Sequence, residues 1–274
     1  MAGSLPPDTR GILDPHTARE RFHLDQRPPV PELAPFVANC WMLTWDLDEP
    51  HRQRVLTHPA VHMTFTTYAT GPGRARIAGV VRGEFTEEIS GRGRVVGVRF
   101  RPGGFRPFLG APVATITDRF PAVSEVFGAE GLAVAERILT TPETADAVTL
   151  LEDFLVARAP EPDPVVDEVA AMVARIAADP ALLRVDELTR VLGVPARRLQ
   201  RLFHEYVGAG PKWVIRRYRM HEAAERAAES AEGTDLDWAG LAAELGYADQ
   251  AHFTRDFTAT VGRPPGQYAR IVTG

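Results

Sequence analysis

Between residues 29 and 118 apolar and polar positions alternate in short runs. In "RVVGVRF" and "HMTFTTY" every second side chain falls on one face, the period of a strand with one buried side. The stretches around them, "RVLTHPAVHMTFTTYA", "RARIAGVVRGEF" and "GRVVGVRFRPGGF", are rich in β-branched and aromatic residues and are broken by Gly, Pro and charged turns. The first part of the chain is therefore expected to be β-rich. The period then changes: "AEGLAVAERIL" and "TADAVTLLEDFLVARA" carry apolar residues three and four apart, as amphipathic helices do. The run "APEPDP", residues 159 to 164, has two acids, three prolines and almost nothing apolar, and marks a linker.

Beyond it only helical patterns follow. They are "VVDEVAAMVARIAAD", "VDELTRVLG", "PARRLQRLFHEYVG", "PKWVIRRYRMHEAAERAAESA", "DWAGLAAELG", "DQAHFTRDFTATVG" and "PPGQYARIV". Pro195, Pro211 and Pro265 stand where first turns tolerate proline, and Gly193, Gly208, Gly246 and Gly262 stand where helices should stop. The expected architecture is α+β: a barrel-like β domain over 1–130, a helical spacer and linker over 131–164, and an all-α seven-helix domain over 165–274.

The helical half repeats itself. Leu199, Arg201, Phe203, Val207, Gly208 and Pro211 recur 54 residues later as Phe253, Arg255, Phe257, Val261, Gly262 and Pro265. Upstream the offset is 53, which matches Leu188, Leu192 and Gly193 to Leu241, Leu245 and Gly246, so one residue was inserted in the second copy's turn. Each copy reads as short helix, Gly-containing turn and longer helix, the composition of a helix-turn-helix. At about 100° per residue, Leu199, Leu202, Phe203 and Tyr206 share one face, with Arg197, Gln200, Arg201 and His204 opposite. In the second copy Phe253, Phe257 and Thr260 point inward, and Ala251, Thr254, Arg255 and Thr258 point out. Arginine suits guanine and glutamine suits adenine in a major groove. Two such helices on one connecting rod are expected to reach successive major-groove segments, about 34 Å apart.

Composition changes this picture only in detail. The total charge is −5, yet residues 197 to 219 hold seven cations (Arg197, Arg198, Arg201, Lys212, Arg216, Arg217 and Arg219) against Glu205. Lys212, Arg216 and Arg217 are the expected phosphate contacts. No apolar run approaches the eighteen or so residues of a membrane span, and the first residues lack a leader pattern, so a cytoplasmic protein away from membranes is expected. Cys40 is the single cysteine, which excludes an intrachain disulfide framework or a thiolate cage.

The C-terminal "GYADQAHFTRDFTATVGRPPGQYAR" resembles the AraC/XylS family of transcription regulators, with Gly246, Phe253, Arg255, Phe257, Gly262, Pro265 and Tyr268 in the characteristic positions. The resemblance covers roughly residues 165 to 272. It implies a seven-helix domain with two helix-turn-helix units, and double-stranded DNA as the partner. Base-reading positions then fall on Arg197, Gln200 and Arg201 in the first unit and on Gln250, Ala251, Thr254 and Arg255 in the second. Two departures stand out: Val194 replaces a frequent capping Ser, and Ala251 is often a longer polar residue. RNA polymerase, a small-molecule effector and a second copy of the chain are further partners compatible with such a regulator.

The first half looks similar to effector-type domains found attached to such DNA-binding halves, and names no ligand. Arg101 and Arg106, flanking the turn "FRPGGF", are candidates for holding an anion. His58 and His62 would share a strand face, but the proline between them and the lack of a carboxylate partner argue against a metal site, and no cofactor is called for. Trp41, Trp45, Phe65, Tyr68, Phe85, Phe100 and Phe105 suit either a core or an apolar pocket. A rival reading is a DNA-localised, repair-type enzyme with Cys40 as nucleophile in the β domain. The hydrophobic neighbours in "VANCWML" disfavour a thiolate there.

Overall fold

The computed structural model describes residues 11–229 and 236–273. Helix α1 (Pro15–Arg21) is opened by Asp14, whose carboxylate accepts the Thr17 N–H at 3.2 Å. Five antiparallel strands follow: β1 (His23–Arg27), β2 (Val37–Val55), β3 (His62–Tyr68), β4 (Arg74–Ala78) and β5 (Phe85–Phe100). Their order is β1-β2-β5-β3-β4. Since β4 and β1 do not pair, the sheet stays open where a barrel would close.

The register shows why the alternation in the sequence works. Cys40, Val98, Met63 and Ile77 lie side by side on four neighbouring strands, all fully buried on one face. One position along, Asn39, Arg99 and His62 form a row on the opposite face. Pro50 is accommodated within the long β2 by a register shift between Leu47 and His51.

A turn of helix, α2 (Arg106–Leu109), leads to α3 (Val123–Thr140) and α4 (Thr144–Val156). These two were expected as a spacer. They instead cover the buried face of the sheet, placing Val134, Ile138, Leu151 and Leu155 in one cluster with Met63 and Val98. The α4 carboxylate of Glu152, itself buried, accepts hydrogen bonds from Arg27, from Val30 N–H at 3.1 Å and from the Cys40 thiol at 3.3 Å.

The described part of the C-terminal half holds seven helices: α5 (Pro164–Ala178), α6 (Val185–Leu192), α7 (Ala196–Leu202), α8 (Pro211–Glu229), α9 (Trp238–Glu244), α10 (Gln250–Val261) and α11 (Pro265–Thr273). A π turn, Phe203–Val207, extends α7. The predicted end of α8 at residue 231 lies outside the described residues. Helix α8 is shared by two cores. Its Val214 and Ile215 pack with Leu188, Leu199 and Phe203 of the first unit. Its Met220, Ala223 and Ala227 pack with Leu241, Phe253 and Phe257 of the second.

Candidate nucleic-acid interface

The two predicted reading helices turn their apolar faces inward as the period requires. Leu199, Leu202 and Phe203 are buried on α7, and Phe253 and Phe257 are buried on α10. The side chains of Arg197, Gln200 and Arg201 are left exposed, with no hydrogen bond or ion pair to another described residue. On α10, Gln250, Ala251 and Arg255 are exposed and Thr254 is half-buried. The two helices start differently. Asp249 caps α10 by accepting the His252 N–H at 2.6 Å, whereas Pro195 precedes α7 without any side-chain cap.

The basic stripe is largely consumed by the fold. Arg217, an expected phosphate contact, is only 3% exposed and donates to the Arg82 carbonyl at 2.7 Å, with its guanidinium over the Trp213 ring. Burial lowers its pKa to about 10. Its place in the helix period faces the sheet domain, so the assignment to phosphate is withdrawn. Arg219 is buried as well and donates to the Ile176 and Asp179 carbonyls at the end of α5. Arg216 is exposed but pairs with Asp256 on α10, and Arg198 pairs with Glu168 at 2.8 Å. Arg197, Arg201 and Lys212 are the members of the stripe that keep a solvent-facing charge without an ion pair among the described residues.

Residues 188–271 match a family described as "Helix-turn-helix domain". The C-terminal part of this chain is an AraC-type helix-turn-helix domain. The chain is a DNA-binding transcription regulator. Residues 25–121, ahead of the AraC-type domain, match a domain of unknown function (DUF6597). Among solved structures the chain is similar to ToxT from Vibrio cholerae O395, with 11% identity over 93% of this chain and 99% of that one, at a TM-score of 0.39. It is also similar to unsaturated fatty acid bound wild-type ToxT from V. cholerae strain SCE256, with 11% identity over 93% and 96%, at a TM-score of 0.35.

The AraC-type domain is strapped to the sheet domain by groups the sequence had suggested for other work. Arg101 donates to Asp167 at 2.8 Å and to the Pro35 carbonyl at 3.0 Å. Arg106 donates to Glu205, in the π turn after α7, at 2.6 Å. Both anion-site candidates are thus spent on joining the two parts. Thr117 donates to the Gly208 carbonyl at 2.6 Å. Gly208 has φ +84°, and a Cβ there would lie 2.7 Å from the Thr117 hydroxyl, so both backbone shape and close approach require glycine.

The remaining candidates gather around a chamber of about 250 Å³ on the sheet face turned away from α3 and α4. His58 and His62 both line it, although His58 lies in the loop before β3. Burial, the charge of Arg99 and the nearness of His58 lower the His62 pKa to about 3. The His58 ring also stacks on His221 of α8, with centroids 4.4 Å apart. Of the seven aromatics, Trp41 and Phe85 line the chamber, while Phe65, Phe100 and Phe105 sit in the core beneath the sheet. Asn39, Arg76, Arg99 and His221 were not singled out from the sequence. The signal of the first three was alternation with core residues, and that of His221 its place in the helix period of α8; both report a face but not what that face meets.

Cys40 is inert in this setting. Burial, together with the neighbouring charge of Glu152, pushes its thiol up to about 12, the opposite of what a nucleophile needs.

Proposed function

We propose that this regulator reads two neighbouring major-groove segments of one duplex, α7 presenting Arg197, Gln200 and Arg201, and α10 presenting Gln250, Ala251, Thr254 and Arg255. Lys212 supplies a phosphate contact at the start of α8, and Arg216 does so only on leaving Asp256. The observation that carries the reading is the shared rod: one helix contributes to both cores, while Arg197, Gln200 and Arg201 on α7 and Arg255 on α10 point outward without a side-chain partner among the described residues. Rigid presentation of this kind spares the cost of ordering the backbone and leaves only the side chains to be fixed at the base edges.

The sheet domain, with α3 and α4, modulates DNA binding through its chamber. His58 carries the chamber's state to α8, because it lines the cavity and stacks on His221 at once. The protein works in the cytoplasm, where RNA polymerase and a second copy of the chain are the partners this role calls for. It performs no catalysis; the inert Cys40 supports that part of the reading.

Selection of bound duplexes from a random pool, with the full chain, tests the proposal. A recovered site spanning about two helical turns supports reading by both units. A site of one turn removes the second unit, and failure to enrich any sequence overturns the reading. With the selected site, Arg201→Ala is expected to cost about 1 to 3 kcal/mol and to relax preference at its position.

A further inference from the structure

Asp256 stands where the repeat elsewhere places a core residue. Counted back by the offset of 54 it matches Leu202, which is buried in the first core, whereas Asp256 is half-buried at the margin of the second. Its carboxylate reaches across to α8 and pairs with Arg216, and His252, one turn earlier on α10, brings Nε2 to 3.8 Å from the same oxygen. The partner also has a counterpart. Arg216 lies five residues after Pro211, and five residues after Pro265 comes Arg270, whose side chain is exposed and has no hydrogen bond or ion pair among the described residues. Both copies therefore carry an arginine at the same place, and only the first is tied down.

The pair does little to hold α10 on α8. Arg216 keeps 45% of its side chain exposed, and an ion pair this open to water stabilises weakly. The packing between the two helices comes from Met220 and Ala223 against Phe253 and Phe257. What the pair changes is the number of free cations on the helix that joins the two units. Attraction to the phosphate backbone grows with the cations that displace counterions from DNA, and a guanidinium held by an internal carboxylate displaces none. That attraction is blind to sequence, so withholding one cation weakens every duplex alike. The contacts of Arg197, Gln200 and Arg201 to bases are untouched and make up a larger share of what remains.

We propose that Asp256 is an internal stand-in for a DNA phosphate: it holds Arg216 off the duplex and lowers affinity for DNA of any sequence, which shortens the stay on wrong sites. The proposal rests on the reading of the chain as a two-unit reader of DNA.

Equilibrium binding of the full chain to a selected duplex and to an unrelated one of equal length, across a range of salt concentrations, tests it. Asp256→Asn keeps the shape and removes the charge. It is expected to tighten both duplexes several-fold by a similar factor, and to steepen the dependence of log affinity on log salt by about 1. Arg216→Gln alone is expected to leave the native slope unchanged, and in the Asp256→Asn background to restore it. The single Arg216→Gln variant decides the matter where Asp256→Asn does not fold: a slope shallower by about 1 means that Arg216 already meets a phosphate, and the proposal is overturned. Equal or weaker binding by folded Asp256→Asn, or tightening that survives Arg216→Gln, overturns it as well. A native chain that binds neither duplex overturns the regulator reading itself, whereas native binding with a slope unmoved by Asp256→Asn removes only the role of Asp256.

Discussion

Arg201 and Arg217 are sixteen residues apart in one basic stripe and end in opposite environments. Arg201 faces water from α7, and Arg217 faces the sheet domain from α8. Residue type could not separate them, since arginine serves equally as a solvent-facing donor and as a buried one tied to a carbonyl. Their substitutions should separate them. Loss of the charge-assisted bond in Arg217→Ala is expected to lower unfolding stability by about 2 kcal/mol, while the slope of DNA affinity against salt stays unchanged. A slope lower by about 1 would restore Arg217 as a phosphate contact. His62 gives a second test at this scale. Its pKa falls from 6.5 to about 3 on folding, so between those values the unfolded chain binds a proton that the folded chain refuses. Its contribution to stability is therefore full above pH 6.5 and is lost as pH falls from 6.5 towards 3. Denaturant unfolding measured across that window should show a shallower decline for His62→Gln than for the native chain; equal declines would contradict the shift.

At the scale of elements, the repeat was legible because helices expose their period. Leu199 and Phe203, like Phe253 and Phe257, are one turn apart and must share a face in any α-helix. The starts of the two reading helices differ, and that difference also lay in the sequence, as a capping acid before α10 and Val194-Pro195 before α7. Asp249→Ala is expected to cost about 1 kcal/mol, read as a lower thermal midpoint with exchange of α10 amides rising first. Uniform exchange across the AraC-type domain would contradict a local cap. Helix α1 and strand β1 were not anticipated. Seven residues of "PHTARER" and five of "HLDQR" are too few to show a period, and both are specified by what they cover or pair with.

For the molecule as a whole, the decisive features are contacts between distant parts. Arg101 and Arg106, candidates for an anion site by their neighbourhood in sequence, became straps because the folded chain brings Asp167 and Glu205 to them. Such half-exposed pairs contribute little singly, so the double substitution Arg101→Ala, Arg106→Ala is expected to lower stability by only about 1 kcal/mol. It should also raise hydrogen exchange over residues 159–163, between the two parts. Unchanged exchange there would return both side chains to the anion-site role.

The sequence by itself determined what depends on local period and chain chemistry: strands in the first half, seven helices in the second, the duplicated unit and the outward faces of α7 and α10. Backbone geometry fixes which side chains share a face, so a string of residues carries that information. Tertiary structure alone decided what each face meets. It placed α3 and α4 on the sheet, left the sheet open around a chamber, drew Arg217 and Arg219 inside, and set His58 on His221. These outcomes turn on burial and on partners forty or more residues away in the chain, which no local pattern encodes.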